Sequence, residues 1–440
     1  MSLATPEKIR DFQKKLYVKA KGEPNFRFYS LYDKIHRADI LAHAYALAKG
    51  NQGAPGVDGE TFEKIEAEGL EDWLARLGEE LREGRYEPRP VRRVYIPKPG
   101  GGQRPLGIPV VRDRVAQTAA KLVLEPIFEA DFEEGMYGYR PERSAQGAVE
   151  EVVGALRNGQ TDVVDADLSK YFDTIPHEDL LKAVARRVCD GKVLHLIKLW
   201  LKAPVEERTE SGKTRMTGGK GNKIGTPQGG VMSPLLANIY MNRYMRAWRE
   251  RGEDRNLKAV VVNYADDFVI LSRGKAAQAL ELTRRWMKSL KLTMNDKKTR
   301  LCDARKETLD FLGYTFGLLV FRPTGKRYLG AKPSDKALTR LREKLRSILS
   351  PWNTGAWEET AARVNRMTRG WANYFSIGSI ARAYWKMNRF LEYRVRRFLV
   401  RRHKVPGRGT RRFPTEWIFG PGGIRKLQSR RVPAAANAWA

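Results

Sequence analysis

Apolar residues follow two periods along this chain, and the switches between them mark out its elements. In the first sixty residues, Leu31–Ile35 and Ile40–Lys49 have the three-and-four spacing of helices with one buried face. The stretch Asn51-Gln52-Gly53-Ala54-Pro55-Gly56-Val57-Asp58-Gly59 breaks that spacing with a loop of special backbone angles. Val94-Tyr95-Ile96 and Pro105–Ile108 read as strands on either side of a turn at Pro99–Gly102. Helices are expected over Arg112–Ala130 and over Ser144–Leu156, the second with Ser144 as its cap, with a turn at Tyr137–Pro141 between them. Val163 and Val164 start a short strand, and residues 206–224, polar and Gly-rich, suggest an exposed hairpin. In Lys258–Ser272 two runs, Ala259–Val262 and Phe268–Leu271, flank Tyr264-Ala265-Asp266-Asp267, which predicts two strands joined by a tight turn. Past residue 330, Leu338, Leu341, Leu345 and Ile348 recur at helical spacing until Pro351, and Arg369–Phe375 opens an aromatic-rich helical region that continues through Tyr384-Trp385 and Phe390.

The second hairpin carries the candidate chemistry. Its tip presents two adjacent carboxylates with no Lys or Arg beside them in sequence, an arrangement that makes sense if divalent metal supplies the positive charge. A further carboxylate comes from the Val163-Val164 strand, where Asp165 and Asp167 share one face and Asp167 lies at the strand's end. Asp167, Asp266 and Asp267 together could hold two Mg²⁺ ions roughly 3.5–4 Å apart, as used for in-line phosphoryl displacement. Taken singly, each stretch is equally well an Asp-Asp turn or a helix-capping Asp. Lys98 and Arg104 flank the first hairpin's turn and could meet a triphosphate; alone they are two solvated cations. Tyr171 and Phe172 put aromatics near the metal, where a bulky ring would exclude a ribose 2′-OH, although each alone reads as a core aromatic. The turn Gly225–Gly230 precedes an apolar helix and lets backbone approach a ligand, with Gln228 able to contact template or incoming nucleotide.

Composition narrows the class of partner. The chain has 440 residues, enough for about three domains, and 42% hydrophobic content supports a sizeable core. Two cysteines, Cys189 and Cys302, lie far apart without Cys or His neighbours, which argues against a disulfide framework or zinc site and suits a reducing interior. No apolar run reaches ~18 residues, so no membrane span is expected, and the N-terminus lacks the apolar core of a signal peptide. The net charge of +31, from 82 basic and 51 acidic residues, points to a polyanionic partner, nucleic acid ahead of a membrane surface. Residues 391–440 have only Glu392 and Glu416 as acids, and their basic residues alternate with aromatics, the mix a nucleic-acid-gripping surface needs.

Eight blocks in order give a resemblance. They are GAPGVDG (Gly53–Gly59), IPKPGGGQRPLGIP (Ile96–Pro109), YGYRPERSAQGAV (Tyr137–Val149), DADLSKYFDTI (Asp165–Ile175), GTPQGGVMSPLLANIYM (Gly225–Met241), YADDFVIL (Tyr264–Leu271), LTMNDKKT (Leu292–Thr299) and LDFLGYTFG (Leu309–Gly317). The chain resembles the group II intron-encoded reverse transcriptases, or maturases, of bacteria, and RGWANYF (Arg369–Phe375) resembles their thumb domain. The resemblance implies an α+β right-hand polymerase fold: an N-terminal helical extension over 1–80, fingers and an antiparallel palm sheet over 81–330, a helical thumb or maturase domain over 331–404, and a basic nucleic-acid-binding tail over 405–440. It implies Mg²⁺-dependent cDNA synthesis from dNTPs, with template or intron RNA and a primer or target DNA as partners, in the cytoplasm. It implies metal ligation by Asp167, Asp266 and the backbone of Leu168, with Asp267 supporting. Lys98 and Arg104 would contact the triphosphate, with Lys298 near it or near the adjacent strand, and Phe172 would gate the 2′-OH. Primer or template contacts would come from Gly229, Phe311, Leu312 and Gly313. Asn263 departs from the basic residue many relatives carry there, and a C-terminal Cys/His nuclease module is not expected. Two alternatives stay open: an RNA-binding splicing cofactor in which polymerisation is secondary, and a domesticated relative working in DNA repair or host defence.

Overall fold

The computed structural model describes residues 3–97, 101–208, 214–321 and 323–428. The strands in chain order are β1 (Val91–Pro97), β2 (Gln103–Ile108), β3 (Asp162–Asp167), β4 (Pro204–Arg208), β5 (Thr214–Gly218), β6 (Val260–Tyr264), β7 (Asp267–Ser272), β8 (Arg300–Asp303), β9 (Leu309–Phe311), β10 (Tyr314–Phe321) and β11 (Lys326–Pro333). They form three sheets, ordered β2-β1-β4-β5, β6-β7-β3-β8 and β11-β10-β9. The predicted hairpins are present: β1 pairs antiparallel with β2, and β6 with β7. The polar stretch at 206–224 contributes β4 and β5, which extend the first sheet through a parallel β1–β4 pairing.

The β6-β7-β3-β8 sheet is packed on both faces, which is why its sequences are runs of Val, Ile and Leu rather than half-polar. Val164, Ala166, Val261, Phe268 and Ile270 face a helical core; Val163, Val262, Val269, Leu271 and Cys302 face a second core built with the Ala145–Arg157 helix, β9 and β10. Each such side chain contributes on the order of 1.5–3 kcal/mol by leaving water. With both faces apolar, a carboxylate has room only near the sheet's ends or edges, and that is where Asp167, Asp266 and Asp267 lie.

Between Glu7 and Arg82 the chain forms helices that join the main core: Ile9, Leu16, Ile40 and Leu41 pack with Val115, Val123 and Ile127 of the Val111–Glu129 helix. Ser144 caps the Ala145–Arg157 helix, its hydroxyl accepting from the Gly147 amide at 3.1 Å. Beyond β11 the chain is helical, with helices Asp335–Ile348, Trp357–Tyr374 and Ala381–Arg402. Leu338, Leu341, Leu345, Leu391, Val395 and Phe398 form their core, and Phe413, Ile418, Ile424 and Leu427 pack into it. Among the described residues no helix is long and apolar enough to cross a membrane.

Candidate active site at the carboxylate end of the sheet

Backbone pairing brings the three carboxylates together. β3 and β7 run antiparallel with Asp167 opposite Asp267, and Tyr264 pairs with Asp267 across the two-residue turn Ala265-Asp266. Ala265 takes a left-handed φ of 59° to close the turn. The Asn263 side-chain amide donates to the Ala265 carbonyl at 3.0 Å, and the Leu168 amide donates to the Asp266 carbonyl at 3.4 Å. Gly138, from the Tyr137–Pro141 turn, lies directly against the tip: a Cβ there would sit 2.6 Å from the Ala265 nitrogen, so only glycine fits. Its carbonyl in turn accepts from Asn238 Nδ2 at 2.7 Å. Asn263 is thus a buried residue that braces the turn.

Asp167 is clamped from the far side by the loop before β8. Asn295 donates its amide Nδ2–H to Asp167 Oδ2 at 3.0 Å and its backbone N–H to the Asp167 carbonyl at 2.8 Å, while Ser169 donates to the Thr293 carbonyl at 2.9 Å. Lys298 Nζ lies 3.1 and 3.2 Å from the two Asp167 oxygens, so the lysine expected near a triphosphate or the adjacent strand is paired with the Asp167 carboxylate. Asp165, on the same strand, instead pairs with Arg300 of β8 at 3.2 Å. At Asp267, loss of hydration first and then the charges of Asp266 and Asp167 push the carboxyl up to about 6, with Lys298 opposing. The cluster therefore carries negative charge that one lysine does not offset.

A divalent ion fits that deficit. Among the described residues no group of three or more Asp, Glu, His or Cys side chains is placed to hold a metal ion by itself, so an ion here would take one or two carboxylates and need phosphate oxygens and water for the rest of its shell.

Other expected site residues fall on two further surfaces. Phe172 is half-buried beside the cluster, edge-on to Tyr139 with ring centroids 6.3 Å apart, and its carbonyl accepts from the Thr226 amide at 2.6 Å. The Tyr139 hydroxyl is held above its usual range by burial and by Asp266, with the Arg104 charge opposing. Gln228 donates its amide to both Asp173 oxygens at 3.0 Å and accepts the Gly107 amide on its carbonyl at 2.5 Å. Gly229 has a φ of 104° and packs against Gly107. Lys98 lies outside the described residues.

Phe311, expected near the primer, is 4% exposed with its ring packed in the core, so a contact there would have to come from its backbone. What remains near the surface is the Leu312-Gly313 turn, both residues at positive φ, with the Leu312 carbonyl accepting from the Tyr374 hydroxyl at 2.9 Å. Sequence reading missed Asn295, Gly138, Tyr139 and Asp173 as site residues. All four lie inside or next to the eight blocks, but only folding shows which atoms they touch.

Comparison with known proteins gives the family. The family described as reverse transcriptase (RNA-dependent DNA polymerase) matches residues 96–316, and the group II intron maturase-specific domain matches residues 338–414. Protein YkfC of Escherichia coli (strain K12) is 36% identical over 367 residues, which cover 75% of this chain and 93% of that protein. The group II intron-encoded protein LtrA of Lactococcus lactis subsp. cremoris is 36% identical over 218 residues, 49% of this chain and 34% of LtrA. A putative COX1/OXI3 intron 1 protein of Saccharomyces cerevisiae is 28% identical over 426 residues, 78% of this chain and 50% of that protein.

Proposed function

The chain belongs to the reverse transcriptases that carry a group II intron maturase domain, and from that premise we propose which of its residues do the work. It is an RNA-directed DNA polymerase with a maturase role in the splicing and mobility of a group II intron. Asp167 and Asp266 would hold two Mg²⁺ ions with the backbone of Leu168, and Asp267 would support them. When bound, the ions lower the pKa of the primer 3′-OH and carry the charge of the leaving pyrophosphate. The protein's own part is positioning. Asn295 and Lys298 fix the Asp167 carboxylate, Gly138 and Asn263 fix the turn that carries Asp266, and Arg104, with Lys98, receives the triphosphate. Phe172 and Tyr139 stand where the sugar of a nucleotide would lie, and the Phe172 ring excludes a 2′-OH. Gly229 and the Leu312-Gly313 turn take the primer–template, and the helices beyond residue 331 act as thumb and RNA-binding maturase domain.

The observation that carries this assignment is the β3–β7 register that sets Asp167 opposite Asp267, beside the Asp266 turn. Asp167→Ala or Asp266→Ala is expected to reduce primer extension on an RNA template by roughly three orders of magnitude or more, with affinity for that RNA little changed. A variant that extended primers at the wild-type rate would overturn the assignment.

A further inference from the structure

Next to Gly138, the Tyr137–Pro141 turn holds an aromatic residue in a backbone conformation that its side chain disfavours. Tyr139 has a φ of 58°, in the left-handed region, and is 52% exposed. A ringed residue stays there only where its surroundings leave it no choice. Here its neighbours are pinned on both sides. The Tyr137 amide donates to the Asn263 carbonyl at 2.9 Å, and the Gly138 carbonyl accepts from Asn238 at 2.7 Å. Arg140 is buried. Its Nη1 donates to the carbonyls of Glu133 and Met136, both at 2.7 Å. Its Nε and Nη2 donate to the Glu129 carboxylate at 2.7–3.1 Å. A buried guanidinium with four such acceptors fixes the chain on either side of Tyr139.

The Tyr139 side chain gains little stability from this position. It belongs to none of the three apolar cores, and among the described residues its hydroxyl has no hydrogen-bond partner. What the ring meets is Phe172, edge-on, with an angle of 87° between the two planes. A second ring meets Phe172 as well: Tyr171, with centroids 5.7 Å apart. Tyr171 is 2% exposed, and its hydroxyl donates to the Ala237 carbonyl at 2.6 Å. Phe172 therefore stands between one ring locked in the core and one ring on the solvent side, carried by a strained turn. Without the solvent-side ring, a neighbouring staggered χ1 well becomes open to Phe172. An apolar wall rejects a substrate that merely adds a hydroxyl by only about 10². That margin depends on the wall not moving.

We propose that Tyr139 is a positioning residue that holds the Phe172 ring in the rotamer that excludes a 2′-OH, so that sugar selection belongs to the Tyr137–Pro141 turn as well as to Phe172. The proposal rests on the reading of Phe172 as the gate.

The test is single-nucleotide extension by the full chain on a primed RNA template with G as the templating base, comparing kcat/KM for dCTP and CTP. Tyr139→Ala should lower the preference for dCTP about threefold to tenfold, the worth of one edge-to-face aromatic pair. Tyr139→Phe, which keeps the ring and drops the unpartnered hydroxyl, should restore the wild-type preference. Tyr139→Leu should shift it in the same direction as alanine but less, and it replaces alanine if melting shows that variant unfolded. The decisive arm is a double-mutant cycle with Phe172→Ala. A residue that acts through the gate ring has nothing to act on once that ring is gone, so adding Tyr139→Ala to Phe172→Ala should change the preference less than about twofold. A shift of full size in that background would mean that Tyr139 meets the nucleotide by itself and would overturn the proposal. So would an unchanged preference in both Tyr139→Ala and Tyr139→Leu while Phe172→Ala loses it. If Phe172→Ala itself keeps the wild-type preference, the gate reading falls and the proposal falls with it.

Discussion

At the end of β3 and β7, three carboxylates are held by main chain: a strand register, a two-residue turn and a glycine against that turn. Along the Ala381–Arg402 helix, arginines of the opposite sign are held by rings and a few side-chain contacts, with helical spacing as their only frame. The first arrangement cannot move an atom without moving a sheet that is buried on both faces. The second can let each side chain adjust to a flexible polymer. A site that must align a 3′-OH with a phosphorus atom needs the former, because a shift of about 1 Å can cost 10²-fold. Side chains held only by one another, like those along the helix, cannot give that precision.

That contrast can be broken at several points. The largest effect is expected for Gly138→Ala, whose methyl would meet the Ala265 nitrogen and push the Asp266 turn out of line. Single-turnover primer extension should fall by roughly two orders of magnitude, while affinity for the template–primer is unaffected. An unchanged rate would mean the turn is not rigidly held. Next, Phe172→Ala should raise ribonucleotide incorporation relative to deoxyribonucleotide about tenfold or more; unchanged sugar selectivity would remove the ring from the gate. The smallest of the three is Asn295→Ala, which deletes one hydrogen bond to the Asp167 carboxylate, worth about 1.5–3 kcal/mol at a charged group. Its signature is a rise in the magnesium concentration needed for half-maximal extension, with nucleic-acid affinity unchanged.

Much of the acidic end was legible in sequence. Apolar runs of four residues separated by Tyr264-Ala265-Asp266-Asp267 admit little besides a tight hairpin, and the alternation in Asp165-Ala166-Asp167 fixes which residues share a face. The eight ordered blocks and the maturase-like Arg369–Phe375 stretch carried the family. Less was legible where contacts join distant segments. Lys298 and Asn295 meet Asp167 across some 130 residues of chain, and nothing in local spacing says so. Phe311 sits in a block with a surface-like Leu-Gly turn after it, yet its ring turns inward because β9 alternates at its own period. The basic C-terminal stretch announced charge and aromatics without saying which rings are core. Phe390, Phe398 and Phe413 pack inside or against the core, while Trp352, Trp385 and Tyr393 stay outside.

By itself the sequence determined the element types, the hairpin that carries Asp266, the position of Asp167 at a strand end, and the preference for a polyanionic partner. Those depend on local periodicity and on summed charge, both of which are properties of neighbours along the chain. Tertiary structure alone decided that Lys298 and Asn295 clamp Asp167, that Gly138 braces the Asp266 turn, and that the Tyr139 ring meets Phe172 edge-on. Each of these depends on which backbone atoms approach within a few ångströms after two faces of a sheet and one face of a helix have been buried. That packing is settled by the whole chain at once.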